Sequence, residues 1–201
     1  RTAREFVMKL QQLTGPAMAK GLEDTAFYRF NRLVSLNEVG GEPGKFGVSP
    51  QEFHAANGAM AKHWPHTLLG SATHDTKRGE DVRARLNVLS EMPAEWSEAV
   101  ARWSQLNQDK KTFVANAPYP DTNAAYLLYQ TIVGAWPGDL NDAECLKAFR
   151  GRIAEFMLKA AKEAKVHTSW TEPNAMYEKA LQQFVERVFA GENQGFLDDL
   201  N

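Results

Sequence analysis

The stretch Thr67-Leu68-Leu69-Gly70-Ser71-Ala72-Thr73-His74-Asp75-Thr76-Lys77-Arg78 decides how the chain is read. Its first seven residues are short, mostly apolar, and bounded by Pro65 on one side and a charged cluster on the other. That is the pattern of a strand buried within a parallel sheet. The remainder is the densest polar run in the chain. In α/β barrels the chemistry sits on loops that follow the C-terminal ends of strands. A carboxylate placed there, flanked by an imidazole and two cations, is held in its ionised form. A plainer reading has Asp75 or Thr76 capping a helix that starts near Gly79, and spacing alone does not choose between the two.

Outward from this stretch the pattern is helical. Towards the N-terminus, Phe6, Val7, Leu10 and Leu13 recur at helical spacing. Gly15-Pro16 is expected to interrupt that helix, with a second short one over Pro16 to Lys20. Residues 37–50 hold Gly40, Gly41, Pro43, Gly44, Gly47 and Pro50 and read as a loop. Ser49, Pro50 and Glu52 then make a helix-start signature for a segment running to about Lys62. Beyond Gly79, apolar stripes form on Val82, Leu86 and Leu89, and on Trp96, Val100 and Trp103. A Pro/Asn loop over 112–121 is followed by helices over Asn123 to Trp136, Asp142 to Lys165 and Pro173 to Ala190. No other segment reads as strand. A lone parallel strand needs neighbours, so its partners are expected outside this chain. The fold class expected is mainly α. Residues 1–78 would be part of a catalytic barrel, with a strand at about 67–73 and an active-site motif at 74–78. Residues 79–201 would be a helical subdomain. The start at Arg1, without methionine and already in helical pattern, suggests a piece of a longer chain.

Composition narrows the class. Of 201 residues, 43% are hydrophobic and 24% charged, as in globular rather than disordered chains. A net charge of -2 offers no electrostatic case for nucleic acid or an anionic membrane surface. No stretch approaches the roughly 20 apolar residues of a membrane span. The single cysteine, Cys145, cannot form an internal disulfide, so a reducing cytoplasm is the expected location. Asp142 and Glu144 beside it would raise its thiol pKa, so it reads as packed or idle rather than nucleophilic. His63, His66 and His74 lack Glu or Cys partners at a recognisable ligand spacing, so neither metal nor other cofactor is expected.

A second cluster runs from Lys20 to Arg32. It holds Lys20, Glu23, Asp24, Phe27, Tyr28, Arg29, Phe30 and Arg32. Sugar sites use this mixture, since charged groups bind hydroxyls and aromatic faces stack on pyranose rings. An ion-paired helix over an aromatic core would have the same composition. Trp96 and Trp103 read as core, Trp136 and Trp170 as packing anchors at helix ends, and Trp64 stays open.

A family resemblance resolves these alternatives. Gln11-Gln12-Leu13-Thr14-Gly15-Pro16, Ala19 through Arg29, Asn31 through Gly41, Phe46-Gly47-Val48-Ser49, Glu52-Phe53-His54 and Thr73 through Arg78 closely resemble maltooligosyltrehalose synthase. So do Asp81 through Leu86, Tyr126 through Thr131, Gly134-Ala135-Trp136-Pro137 and Thr168-Ser169-Trp170 with Pro173-Asn174. The motifs are long, and they cover nearly the whole chain in the expected order.

The resemblance implies an α-amylase-like (β/α)8 barrel with three carboxylates at its mouth. It implies that Asp75 is the carboxylate that stabilises the transition state, with His74 donating to a sugar hydroxyl. Lys20, Glu23, Asp24, Tyr28, Arg29, Lys77 and Arg78 are implied substrate contacts. The substrate would be a maltooligosaccharide, whose reducing-end α-1,4 bond becomes an α,α-1,1 bond by intramolecular transfer. A trehalose-releasing hydrolase would act on the product. No segment resembles the nucleophile or acid/base motifs, so the isolated chain is expected to be inactive. Two alternatives remain: a related α-glucan hydrolase or transglycosylase, separable by product analysis, and a helical carbohydrate-binding or interaction module without catalysis, separable by calorimetry with maltooligosaccharide.

Overall fold

A computed structural model describes residues 2–114, 117–138 and 142–200. The core is built from α5 (Thr122–Ala135), a helix apolar on nearly every side. Leu127, Leu128, Tyr129 and Ile132 are all buried there. Asp121 starts the helix by accepting from the Ala124 amide at 2.8 Å, satisfying one of the unpaired first-turn N–H groups.

Around α5 pack α3 (Glu80–Val88), α4 (Pro93–Leu106), α6 (Ala143–Ala164), α7 (Ala175–Val188) and α8 (Gln194–Leu200). On α6, Phe149, Ile153, Met157 and Ala160 are buried at spacings of four, four and three, which keeps them on one helical face. Phe156, expected on that face, is only partly buried and lies at its edge. On α7 the buried face is Tyr177, Leu181, Phe184, Val185 and Val188. Trp103 inserts between Trp96, Tyr129 and Phe196 in edge-on contacts at 5.4–5.7 Å, and Trp136 meets Phe149 at 5.6 Å. These three tryptophans are packing residues, Trp96 and Trp103 as their helical spacing predicts and Trp136 as its helix-end position does.

The mainly α class holds, and several local expectations are corrected. Residues 67–73 form no strand: the segment is irregular, and among the described residues no strand lies beside it. A strand is defined by its ladder hydrogen bonds, and a lone apolar segment has none to make. Gly15-Pro16 does not interrupt the first helix. Helix α1 (Thr2–Pro16) continues into a widened π-helical turn over Ala17–Glu23, with the Asp24 amide bonded to the Ala19 carbonyl at 2.9 Å. Five-residue hydrogen bonding absorbs the N–H that proline lacks. Within the expected 112–121 loop lies an antiparallel strand pair, β1 (Thr112–Val114) with β2 (Ala117–Tyr119). Its Thr, Phe, Val and Tyr suit strands, and Pro118 is tolerated because a two-stranded ribbon has only edges.

Helix α2 (Pro50–His63) starts as the sequence predicts. Ser49 Oγ accepts from the Glu52 amide at 3.2 Å, and Glu52 accepts from the Ser49 amide at 2.8 Å. Neither α1 nor α2 has a buried residue. Among the described residues no helix is long and apolar enough to cross a membrane.

Candidate functional site

The segment from Phe27 to Asn37 is laid across α5 and locked to it by one buried side chain. Gln130 accepts from the Val34 amide at 2.9 Å and donates to the Asn31 carbonyl at 2.7 Å. Asn37 donates to the Phe27 and Phe30 carbonyls. These bonds satisfy backbone groups that irregular chain would otherwise bury unpaired. They fix Tyr28, whose ring is buried, with its hydroxyl pushed above the usual phenol range by that burial.

Against this floor lies the loop of residues 71–78. Thr73 and Thr76 close it: the Thr73 amide donates to Thr76 Oγ1 at 2.6 Å, and the Thr76 amide to the Thr73 carbonyl at 3.1 Å. Helix α3 takes Gly79 as its N-cap, with no side-chain cap, so neither Asp75 nor Thr76 caps it. His74 and Asp75 stand at the loop's apex with side chains 92% and 73% exposed and His74 Nε2 3.6 Å from Asp75 Oδ2.

The apex borders a cleft of about 250 Å³ lined by Asp24, Tyr28, His74, Asp75, Thr76, Lys77, Phe156, Lys159 and Glu163. Asp24 sits between two ammonium groups, Lys20 and Lys77, each 2.5 Å from one of its oxygens. Burial alone would raise the Asp24 carboxyl, but the bonds from Lys20 and Lys77 outweigh it and hold it below the usual range. Burial likewise pulls Lys77 down, and its contact with Asp24 more than restores the charge. Lys20 is raised first by its hydrogen bond to Asp24.

Of the residues singled out in the sequence, the fold gathers Asp24, Tyr28, His74, Asp75 and Lys77 around one cleft, with Lys20 joined to it through Asp24. It does not gather the others. Glu23 accepts from the Gly40 amide at 3.1 Å. Arg29 turns away to the C-terminus of α6, donating to the Ala164 and Lys165 carbonyls at 2.5 and 3.3 Å. There it satisfies the last, unpaired carbonyls of that helix. Arg78 is half-buried between the Val34 carbonyl and the Phe156 ring, and desolvation of its guanidinium lowers its pKa.

Sequence reasoning missed the wall that α6 supplies. Phe156, Lys159 and Glu163 are more than 80 residues from Asp75, and only the last two carry a polar signal, in a helix rich in charge. Trp170 departs from the packing role expected of it. Its indole is 58% exposed, donates to Glu163 at 3.1 Å and lies under the Lys162 ammonium. Cys145 is exposed rather than packed, on the first turn of α6 beside Asp142. Trp64 is exposed in a shallow depression with His63 and His66.

No family model matches the chain. Two curated proteins from Mycobacterium tuberculosis strains, both provisionally named maltooligosyl trehalose synthase, are 42% identical over 187 residues. The match covers 93% of this chain and 23% of each relative. A crystal structure of a maltooligosyl trehalose synthase superposes with a TM-score of 0.81 at 36% identity, over 96% of this chain and 24% of that one. The enzyme of that name from Arthrobacter ramosus superposes with a TM-score of 0.77 at 35% identity, over 96% and 24% respectively. Sequence and fold alike match this segment to part of maltooligosyltrehalose synthases. The chain spans about a quarter of the length of the curated relatives it matches.

Proposed function

We propose that this chain is the part of a maltooligosyltrehalose synthase that supplies the transition-state-stabilising carboxylate and one wall of the sugar site. In this reading residues 1–78 belong to the catalytic barrel and residues 79–201 to a helical subdomain. The reaction converts the reducing-end α-1,4 bond of a maltooligosaccharide into an α,α-1,1 bond, with the released glucose retained and turned.

The observation that carries the reading is Asp75 at the apex of an anchored loop, exposed over a cleft, with no helix-capping role. As a glycosidic bond breaks, the ring gains oxocarbenium character. A carboxylate bonded to hydroxyls beside the reacting carbon strengthens as that charge appears, so it favours the transition state over the bound substrate. His74 would donate to a hydroxyl of the same ring, and the Lys20–Asp24–Lys77 network would offer further donors and acceptors to the retained glucose. Glu23, Arg29 and Arg78, implied as substrate contacts by resemblance, fit better as supports, because the groups they bind are main-chain atoms. The nucleophile and acid/base would come from the other three-quarters of the enzyme, as would the enclosure that keeps water from intercepting the intermediate. An α-glucan hydrolase would use the same carboxylate, so product identity is part of the test.

Two measurements with maltopentaose test this. In the full-length enzyme Asp75→Asn is expected to lower formation of the non-reducing product by about 10²-fold or more, with the substrate still bound. The isolated chain is expected to form none above the buffer blank. Near-normal turnover by the Asp75→Asn enzyme, or product from the isolated chain, would refute the assignment. Glucose release in place of the non-reducing product would identify a hydrolase.

A further inference from the structure

The apex that carries His74 and Asp75 makes few contacts of its own, so its position depends on what grips the loop at either end. Both grips lead to one ion pair. At the far end, the Glu38 carboxylate accepts the Lys77 amide with both oxygens, at 3.0 and 3.1 Å. At the near end, Arg83 on α3 donates through Nη2 to the Ser71 carbonyl. Its Nη1 lies 3.9 Å from Glu38 Oε2, and the two side chains are 25% and 19% exposed. Between these grips the Thr73–Thr76 bonds close the turn, and the Asp75 amide donates to Thr73 Oγ1 at 3.3 Å.

Glu38 is itself held rigidly. Its Oε1 also accepts from the Val39 amide at 2.8 Å, and its carbonyl accepts from the Gly41 amide at 2.7 Å. A Cβ at Gly41 would stand 2.8 Å from the carbonyl oxygens of both Glu38 and Leu36, so the turn admits only glycine there. With both carboxylate oxygens committed to main-chain N–H groups, Glu38 is arranged to hold backbone rather than to bind a ligand. Such charge-assisted bonds are stronger than neutral ones.

We propose that Glu38 and Arg83 are positioning residues that set the height and orientation of the His74–Asp75 loop over the cleft. This rests on the function proposed above. Electrostatic stabilisation of a developing charge depends steeply on placement, and a misplacement near 1 Å from a change outside the chemistry can cost about 10²-fold in rate.

The test has two parts. In this chain, the Lys77 amide is followed by hydrogen exchange in wild type, Glu38→Ala and Arg83→Lys, with α5 amides as the folding control. Glu38→Ala is expected to speed exchange at Lys77 by tenfold or more while α5 stays protected. Arg83→Lys keeps the charge but loses the fork that spans Ser71 and Glu38, and is expected to act more weakly. In the full-length enzyme, Glu38→Ala is expected to lower kcat by about 10- to 100-fold with KM within threefold, and Glu38→Gln, which keeps one acceptor oxygen, to recover part of the loss. Unchanged exchange at Lys77 would overturn the anchoring contact. Faster exchange with full kcat would overturn the positioning role. Either result leaves the Asp75→Asn outcome intact, so failure of this inference is distinguishable from failure of the underlying function.

Discussion

At Asp24, charge rather than burial sets behaviour. Lys20 and Lys77 hold its carboxyl below the ordinary range. A depressed folded-state pKa contributes stability above the unfolded value, near 4, and loses it as pH falls through the folded value. Asp24→Asn is therefore expected to destabilise the chain at pH 7 by about 1 kcal/mol or less, the carboxylate being partly solvated. Urea unfolding at pH 7 and at pH 3 checks this: the difference between wild type and variant should shrink at the lower pH. A difference of equal size at both would mean that the contact owes nothing to ionisation. At this scale, His74, Asp75 and Lys77 were legible because they fall within four residues, and Asp24 and Tyr28 because they share a dense cluster. Glu38, Lys159 and Glu163 were not. Each is one acid or base among many, and only long-range folding brings it to the loop.

Between elements, the joint that sets the floor of the cleft is α5 against the 27–37 segment. Gln130 is fully buried and serves one main-chain donor and one main-chain acceptor. Gln130→Leu would fill nearly the same volume and leave the Val34 amide and Asn31 carbonyl unpaired. It is expected to cost about 2–3 kcal/mol, measured by chemical denaturation, and a cost under about 0.5 kcal/mol would show that the segment is held by other means. The second joint is α3 on α5, where Gly134 lets the helices close. A Cβ there would lie 2.8 Å from Val82 Cγ1 and 3.1 Å from Leu86 Cγ. Gly134→Ala is expected to lose about 1–3 kcal/mol through this clash, despite alanine's better helix propensity, whereas a rise in thermal midpoint would show that the helices can part cheaply. The helices were readable because α5, α6 and α7 bury long, regularly spaced apolar faces. The segment 67–73 is irregular in this chain, because apolar content signals burial while a strand also needs a partner's hydrogen-bonding edge, which the sequence reading expects outside the chain.

Across the whole molecule the apolar surface is unevenly satisfied. Helices α3 to α8 share one buried cluster, whereas Phe6, Leu13, Phe53, Trp64, Leu68 and Leu69 are exposed on the N-terminal part. Helical segments that bury nothing draw little stability from tertiary packing. Limited proteolysis of the isolated chain is expected to remove α1 and cut within α2 and residues 64–70 first, leaving a resistant product over 79–200 together with residues 26–38. Equal resistance of α1 and α6 would contradict this picture. A full-length enzyme in which residues 1–78 join a barrel would protect those same sites, because its remaining sequence would cover the exposed residues.

By itself the sequence determined the helices, the capping box at Ser49 and the motif around Asp75, all of which depend on residues within a turn or two of one another. Only the tertiary structure decided which charged groups meet: that Asp24 binds Lys77, that Arg29 caps α6, that Glu38 and Arg83 grip one loop from both ends, and that α6 walls the cleft. Local periodicity reports which face of an element seeks burial. The pairing of faces and charges far apart in the chain is settled by which packing satisfies the most apolar surface and main-chain hydrogen bonds at once.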